Sequence, residues 1–227
     1  TGPGGVGKSR LAVEVAKLTA GEFPDGVIYI SFDGCSDKQL IIPSIAKALE
    51  FNIDTIATRL HPEDQLIDYL RNRVVLLVVD GFDQLISDSK LLARLLGKSP
   101  GLSFLVTSRE KLNIEVEWVY KLSGLPVPEI DDISSLILND SIQLFLSRMA
   151  QIKPGYYPSL KEYQYVASIC KNVAGIPLAI ELAAAWSAVL TIKEINNEIL
   201  DNVDFLETET QDLPKEHQSF RAVFNSS

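Results

Sequence analysis

Two kinds of hydrophobic patterning divide the chain. Leu11, Ala12, Val15, Ala16 and Leu18 recur at helical spacing and predict a helix over Ser9–Ala20. Val27–Phe32 is dense in β-branched and aromatic residues and reads as a strand. Ser36 and Gln39 form a capping-box pattern that opens a helix running to about Glu50. Pro62 suits the first turn of another helix, ending near Arg71. Val74–Val79 is an unbroken apolar run, as expected of a central parallel strand buried on both faces. A short helix follows over Lys90–Leu96, then strands over Ser103–Thr107 and Glu117–Leu122.

After the linker-like step Leu125-Pro126-Val127-Pro128 the texture changes. Beyond Asn139 only helical periods occur, over residues 139–151, 159–172, 177–189 and 191–200. Ser159 with Glu162 and Thr191 with Glu194 are further capping boxes. No internal repeat appears at solenoid periods. The expected fold class is α/β with a parallel sheet over 1–128, followed by a small all-helical domain over 129–212. Residues 213–227 are expected to begin a further domain.

Composition narrows the function classes. Of 227 residues, 46% are hydrophobic and 22% charged, as in ordinary globular proteins and unlike disordered chains. Thirty acidic against 21 basic residues give a formal charge of −9, an unfavourable balance for phosphate-backbone binding. No nucleic acid is therefore expected as a partner of this segment. Cys35 and Cys170 are read as free thiols in a reducing, cytoplasmic compartment. His61 and His217 lack neighbours at metal-ligand spacing, so no zinc site is expected. No Gly-x-Ser-x-Gly elbow supports a serine hydrolase. Val173–Leu190 is apolar enough to raise the question of a membrane span, but Glu181 sits near its centre. A buried helix, and no membrane partner, is the expectation. Asn139-Asp140-Ser141 matches a glycosylation sequon, read as a chance match in a cytosolic protein.

One motif carries chemistry. Gly2-Pro3-Gly4-Gly5-Val6-Gly7-Lys8-Ser9 matches G-x-x-x-x-G-K-[ST] in full. Its glycines keep side chains away where backbone N–H groups must wrap phosphate oxygens. Lys8 is placed to reach the β- and γ-phosphates and Ser9 to offer its hydroxyl to Mg²⁺. The helix behind them brings its positive end to the phosphates. Asp80, closing the apolar run, is the expected carboxylate supporting the metal. Asp83 either positions the attacking water or caps a helix. Arg109, after the strand ending at Thr107, can read a γ-phosphate through charge-assisted hydrogen bonds, or is a surface loop residue.

The segments TGPGGVGKSRLA, LLVVDGFDQL, FLVTSRE and NVAGIPLAIELAAA, in that order, resemble the NB-ARC, or AP-ATPase, branch of the STAND signalling NTPases, with a bacterial regulator flavour. The resemblance implies an ATP/ADP-binding switch with Mg²⁺, slow hydrolysis, and self-association or effector domains as partners. It implies nucleotide contacts from residues 2–10, Arg10 included, and a sensor at Thr107, Ser108 and Arg109. It matches Gly175-Ile176-Pro177-Leu178 to a motif whose Pro177 and Leu178 meet the nucleotide. It makes 213–227 the opening of a winged-helix domain whose ADP-sensing His lies outside this sequence. Many members carry two adjacent acids after the strand. Here Gly81 follows Asp80, leaving Asp83 as the nearest candidate and implying slow turnover. Related NTPases place a strand before the phosphate loop, centrally, between Ser103–Thr107 and Glu117–Leu122. Without it the isolated chain is expected to be marginally stable. A metabolic NTPase or kinase is the competing class. A GTPase would need an Asn/Thr-Lys-x-Asp guanine reader, which is absent.

Overall fold

The computed structural model describes residues 1–54, 60–128 and 133–201. The expectation of a winged-helix opening over 213–227 lies outside these residues. The described chain forms two compact units. One comprises Thr1 and Lys8–Lys121. The other gathers Gly2–Gly7 with the residues from Leu122 onward.

The first unit is built on a parallel sheet of order β1-β2-β3, with β1 at Val27–Ser31, β2 at Val75–Asp80 and β3 at Leu102–Val106. All of β2 is buried, because it lies between two neighbours and its side chains enter cores on both faces. Val75, Leu77 and Val79 join the larger core with Ile30 of β1. That core is closed by α2 (Ile41–Ala48), α3 (Pro62–Leu70) and α4 (Lys90–Lys98), through Ile45, Leu66, Leu70, Leu92 and Leu95. On the opposite face Leu76 and Val78 meet Ala12 and Ala16 of α1 (Lys8–Thr19). Small alanines let α1 lie close to β2.

Two local expectations fail. The Ser36/Gln39 box does not form. Asp37 instead accepts from the Gln39 N–H at 2.9 Å, capping a short 3₁₀ turn, Lys38–Leu40, that leads into α2. Glu117–Leu122 forms no strand. The Glu117 carboxylate turns back to accept the N–H groups of Leu112 and Asn113, at 2.8 and 3.0 Å. The segment pairs with no strand among the described residues, and its Trp118 is 98% exposed. β-Propensity without a ladder partner does not make a strand.

The second unit is helical: α5 (Ile133–Leu138), α6 (Asp140–Ile152), α7 (Leu160–Asn172), α8 (Pro177–Ala185) and α9 (Ile192–Asp201). Phe145 and Met149 of α6, Ile169 of α7, Ile180 of α8 and Ile195 of α9 share one core. Both later capping boxes form, at Ser159/Glu162 and Thr191/Glu194. Asn139 caps α6, its Oδ1 accepting the N–H of Ser141 at 3.0 Å, so the sequon asparagine is occupied by folding. Glu181, the charge inside the apolar stretch, pairs with Arg148 at 3.2 Å. Among the described residues no helix is long and apolar enough to cross a membrane.

Candidate functional site

In a parallel sheet the carboxyl ends of the strands open toward the same side, where loops and helix N-termini can converge on a ligand. Asp80 lies at that end of β2 and is only 2% exposed. Burying a carboxylate demands hydrogen bonds to both oxygens. Tyr29 of β1 donates its hydroxyl to Asp80 Oδ2 at 2.6 Å, and the Thr107 hydroxyl donates to Oδ1. Strand register explains the first bond. Ser31 pairs with Asp80 and Tyr29 with Val78, so the tyrosine needs only to lean along the sheet. Thr107 follows β3 and also accepts the Gly81 N–H at 3.0 Å, while its own carbonyl accepts the Phe82 N–H at 3.0 Å. The ends of β2 and β3 are thereby tied into one rigid corner.

Asp83 is half-buried in the first turn of a 3₁₀ helix, Phe82–Asp88, whose N-cap is Gly81. It is therefore not the helix cap. Its Oδ1 accepts the backbone N–H of Arg109, which fixes the loop after β3. Ser108 is buried and its hydroxyl donates to the Glu110 carbonyl.

Lys8, at the start of α1, is half-buried among these charges. Desolvation lowers its pKa, and the Arg109 cation lowers it further; Asp83, Asp80 and Asp33 act in the opposite sense. Three carboxylates and two cations thus share the strand ends of this unit. Ser9 and Arg10, on the first turn of α1, are exposed. Asp33 and Tyr29 are functional candidates that motif matching missed. Asp33-Gly34 reads as an ordinary turn, and a mid-strand tyrosine reads as packing.

The second unit holds the glycine loop itself. Gly5 and Gly7 have φ of 70° and 98°, positive values that glycine adopts without the strain a side chain would bring. A Cβ on Gly2 would overlap the carbonyl oxygen of Leu122, so only glycine fits there. Gly2 and Val6 are buried, while Pro3 and Gly4 are half-buried. The Gly5 carbonyl accepts the N–H of Leu178 at 3.2 Å. That donor belongs to the first turn of α8, where Pro177 is the first residue and Ile176 the N-cap, and has no partner within the helix. The structure therefore brings the glycine loop against the Ile176-Pro177-Leu178 corner, two motifs separated by most of the chain.

No protein-family model matches the chain. Over all 227 residues it is 28% identical to a candidate HTH-type transcriptional regulator of Mycobacterium tuberculosis, covering 24% of that protein. It is 30% identical over 196 residues, 86% of the chain, to an uncharacterized protein of the same organism, covering 47% of it. A third relative is the regulatory protein AfsR of Streptomyces griseus, 28% identical over 81% of the chain and 18% of its own length. The chain thus spans about a quarter of the first relatives it matches. In structure it resembles a chain of Drosophila ORC bound to DNA, with a TM-score of 0.54 at 14% identity, over 94% of this chain and 63% of that one. That likeness concerns fold alone and is consistent with a P-loop-type fold.

Proposed function

We propose that this chain is an ATP/ADP-binding signalling switch of the NB-ARC, STAND-type class, acting within a larger cytoplasmic regulator. The observation that carries the reading is Lys8, directly after the glycine loop, set among Asp80, Asp83 and Arg109 at the ends of parallel strands. Backbone N–H groups of residues 2–7, with Lys8, would hold the phosphates. Ser9 and Asp80 would support Mg²⁺, which supplies charge neutralisation at the phosphates when bound. Among the described residues no group of three or more His, Cys, Asp or Glu is placed to hold a metal. That suits a Mg²⁺ bound by one or two protein groups together with nucleotide phosphates. Asp80, with both oxygens hydrogen-bonded, suits support of the metal through its water shell.

Arg109 would read the γ-phosphate, and Pro177 and Leu178 would line the nucleotide beside the glycine loop. Exchange of ADP for ATP would then select between states of the larger protein through differential affinity. DNA enters as an output partner of that larger regulator, a reading supported by the HTH-type transcriptional regulators among the relatives. Self-association or effector domains would be its protein partners.

Calorimetry with ATP and ADP tests the reading. Lys8→Ala should abolish binding of both; unchanged affinity would refute the phosphate-loop assignment. Arg109→Ala should weaken ATP more than ADP, and equal losses would remove its γ-phosphate role. Turnover well below one per second is expected. A rate near the ~10 s⁻¹ of ordinary enzymes would favour a metabolic NTPase or kinase instead.

A further inference from the structure

β2 and β3 stay joined past the end of the sheet. The Thr107 N–H donates to the Val79 carbonyl at 2.9 Å, and the Thr107 carbonyl accepts the Phe82 N–H at 3.0 Å. In a parallel ladder the next donor on the β3 side is the N–H of Arg109. By then β2 has ended at Asp80, and the chain has turned at Gly81, φ 71°, into the 3₁₀ helix Phe82–Asp88. The Asp83 carboxylate takes the place of a strand carbonyl, its Oδ1 accepting the Arg109 N–H. Gly81, not Asp83, is the N-cap of the 3₁₀ helix, so the acid is not needed to start it. The loop it holds is fastened again at buried Ser108, whose hydroxyl donates to the Glu110 carbonyl. Arg109 is half-buried, and its cation acts on Lys8. Asp83 acts on Lys8 too, more strongly than Asp80 or Asp33. Asp83 is therefore close both to the lysine that follows the glycine loop and to the loop that carries Arg109.

We propose that Asp83 is the positioning residue of Arg109: it fixes the loop after β3 so that the guanidinium meets the γ-phosphate, and it acts as a hydrogen-bond acceptor rather than as a base. The proposal rests on the ATP/ADP-binding reading above. A guanidinium lies several rotatable bonds from its own backbone. It reads a phosphate only when that backbone is held still, because small misplacements are costly in oriented sites. An acceptor for the Arg109 N–H needs no negative charge. Asn offers a carbonyl oxygen of the same reach, and Ala offers none. Both remove the same charge from the surroundings of Lys8, so the difference between them isolates the hydrogen bond.

The test uses this chain with Mg²⁺ and measures ATP and ADP affinity by calorimetry. Asp83→Ala should lower the affinity for ATP relative to ADP by roughly ten-fold, the scale of one charge-assisted hydrogen bond. Asp83→Leu, similar in size but without an acceptor, should do the same, and Asp83→Asn should restore most of the ratio. In an Arg109→Ala background, Asp83→Ala should change the ratio by less than about two-fold, because the effect runs through the guanidinium. Equal losses in Asp83→Asn and Asp83→Ala, or the same loss with and without Arg109, would overturn the proposal. If Arg109→Ala leaves the ratio unchanged, the γ-phosphate role falls and the proposal with it, while loss of binding in Lys8→Ala still upholds the phosphate loop. A second arm needs no nucleotide. Hydrogen exchange at the Arg109 amide, measured below the melting temperature of each variant, should quicken by roughly ten-fold in Asp83→Ala and far less in Asp83→Asn. Unchanged exchange in Asp83→Ala would show that the bond does not hold the loop, and would overturn the proposal whatever the nucleotide result.

Discussion

The Tyr29 hydroxyl donates to Asp80 across neighbouring parallel strands, over a sequence separation of 51 residues. With Thr107 on the other oxygen, it allows a carboxylate to be buried at the end of a central strand. Tyr29→Phe keeps the ring and removes one of those donors. An acceptor left short of a partner costs about 1–3 kcal/mol. The expected result is a lower urea midpoint with an unchanged slope. An unchanged midpoint would mean that water replaces the phenol at no cost.

The same bond predicts an alkaline limit. Burial first, then the hydrogen bond and charge of Asp80, push the Tyr29 phenol above its ordinary value of 10.0. Folding therefore favours the protonated phenol. Its contribution is complete below the unfolded value and is lost as pH rises through the folded one. Stability measured by urea unfolding should fall above about pH 10, and fall less steeply in Tyr29→Phe. Some decline remains in that variant, because Tyr156 is also raised by its hydrogen bond to Glu162.

Asn139 tests the helical unit. Its Oδ1 accepts from the N–H groups of Ser141 and Ile142, at 3.0 and 3.4 Å. Asn139→Ala removes the cap of α6 and should cost about 1 kcal/mol. Asn139→Asp retains the acceptor and should cost less. Equal losses by thermal or urea unfolding would show that the cap contributes nothing.

Gly2 tests the glycine loop by geometry. Its φ is 154°, and a Cβ would meet the Leu122 carbonyl. Gly2→Ala must displace backbone on one side, so it should lower both the melting temperature and ADP affinity. Gly7→Ala meets no neighbouring atom, though its φ of 98° strains any side chain. It should act through backbone strain alone. A larger stability loss at Gly7 than at Gly2 would contradict the overlap.

Much of this architecture was legible residue by residue. The run ending in Asp80 announced a strand buried on both faces, because only a central strand hides every side chain. Ser159/Glu162 and Thr191/Glu194 announced helix starts, because capping joins atoms three residues apart. Asp37 displaced Ser36 as a cap, and Glu117 bent its own segment into a turn. Both outcomes depended on local competition among several acceptors, which pattern alone does not rank. Glu117–Leu122 had the composition of a strand and no ladder to join.

The amino-acid sequence by itself determined most of the helices, the strands β1, β2 and β3, and the positions where backbone, not side chain, must approach a neighbour, but not α5 or the 3₁₀ helix after β2. Those follow from periodicity and from the absence of a Cβ, properties of single residues and short windows. Only the tertiary structure decided what each carboxylate can do. Strand register set Tyr29 on Asp80, the loop after β3 occupied Asp83, and the end of β1 carried Asp33 into the space over Gly81. Hydrogen bonding and charge act over a few ångströms, and only folding brings residues so far apart in the chain to such distances.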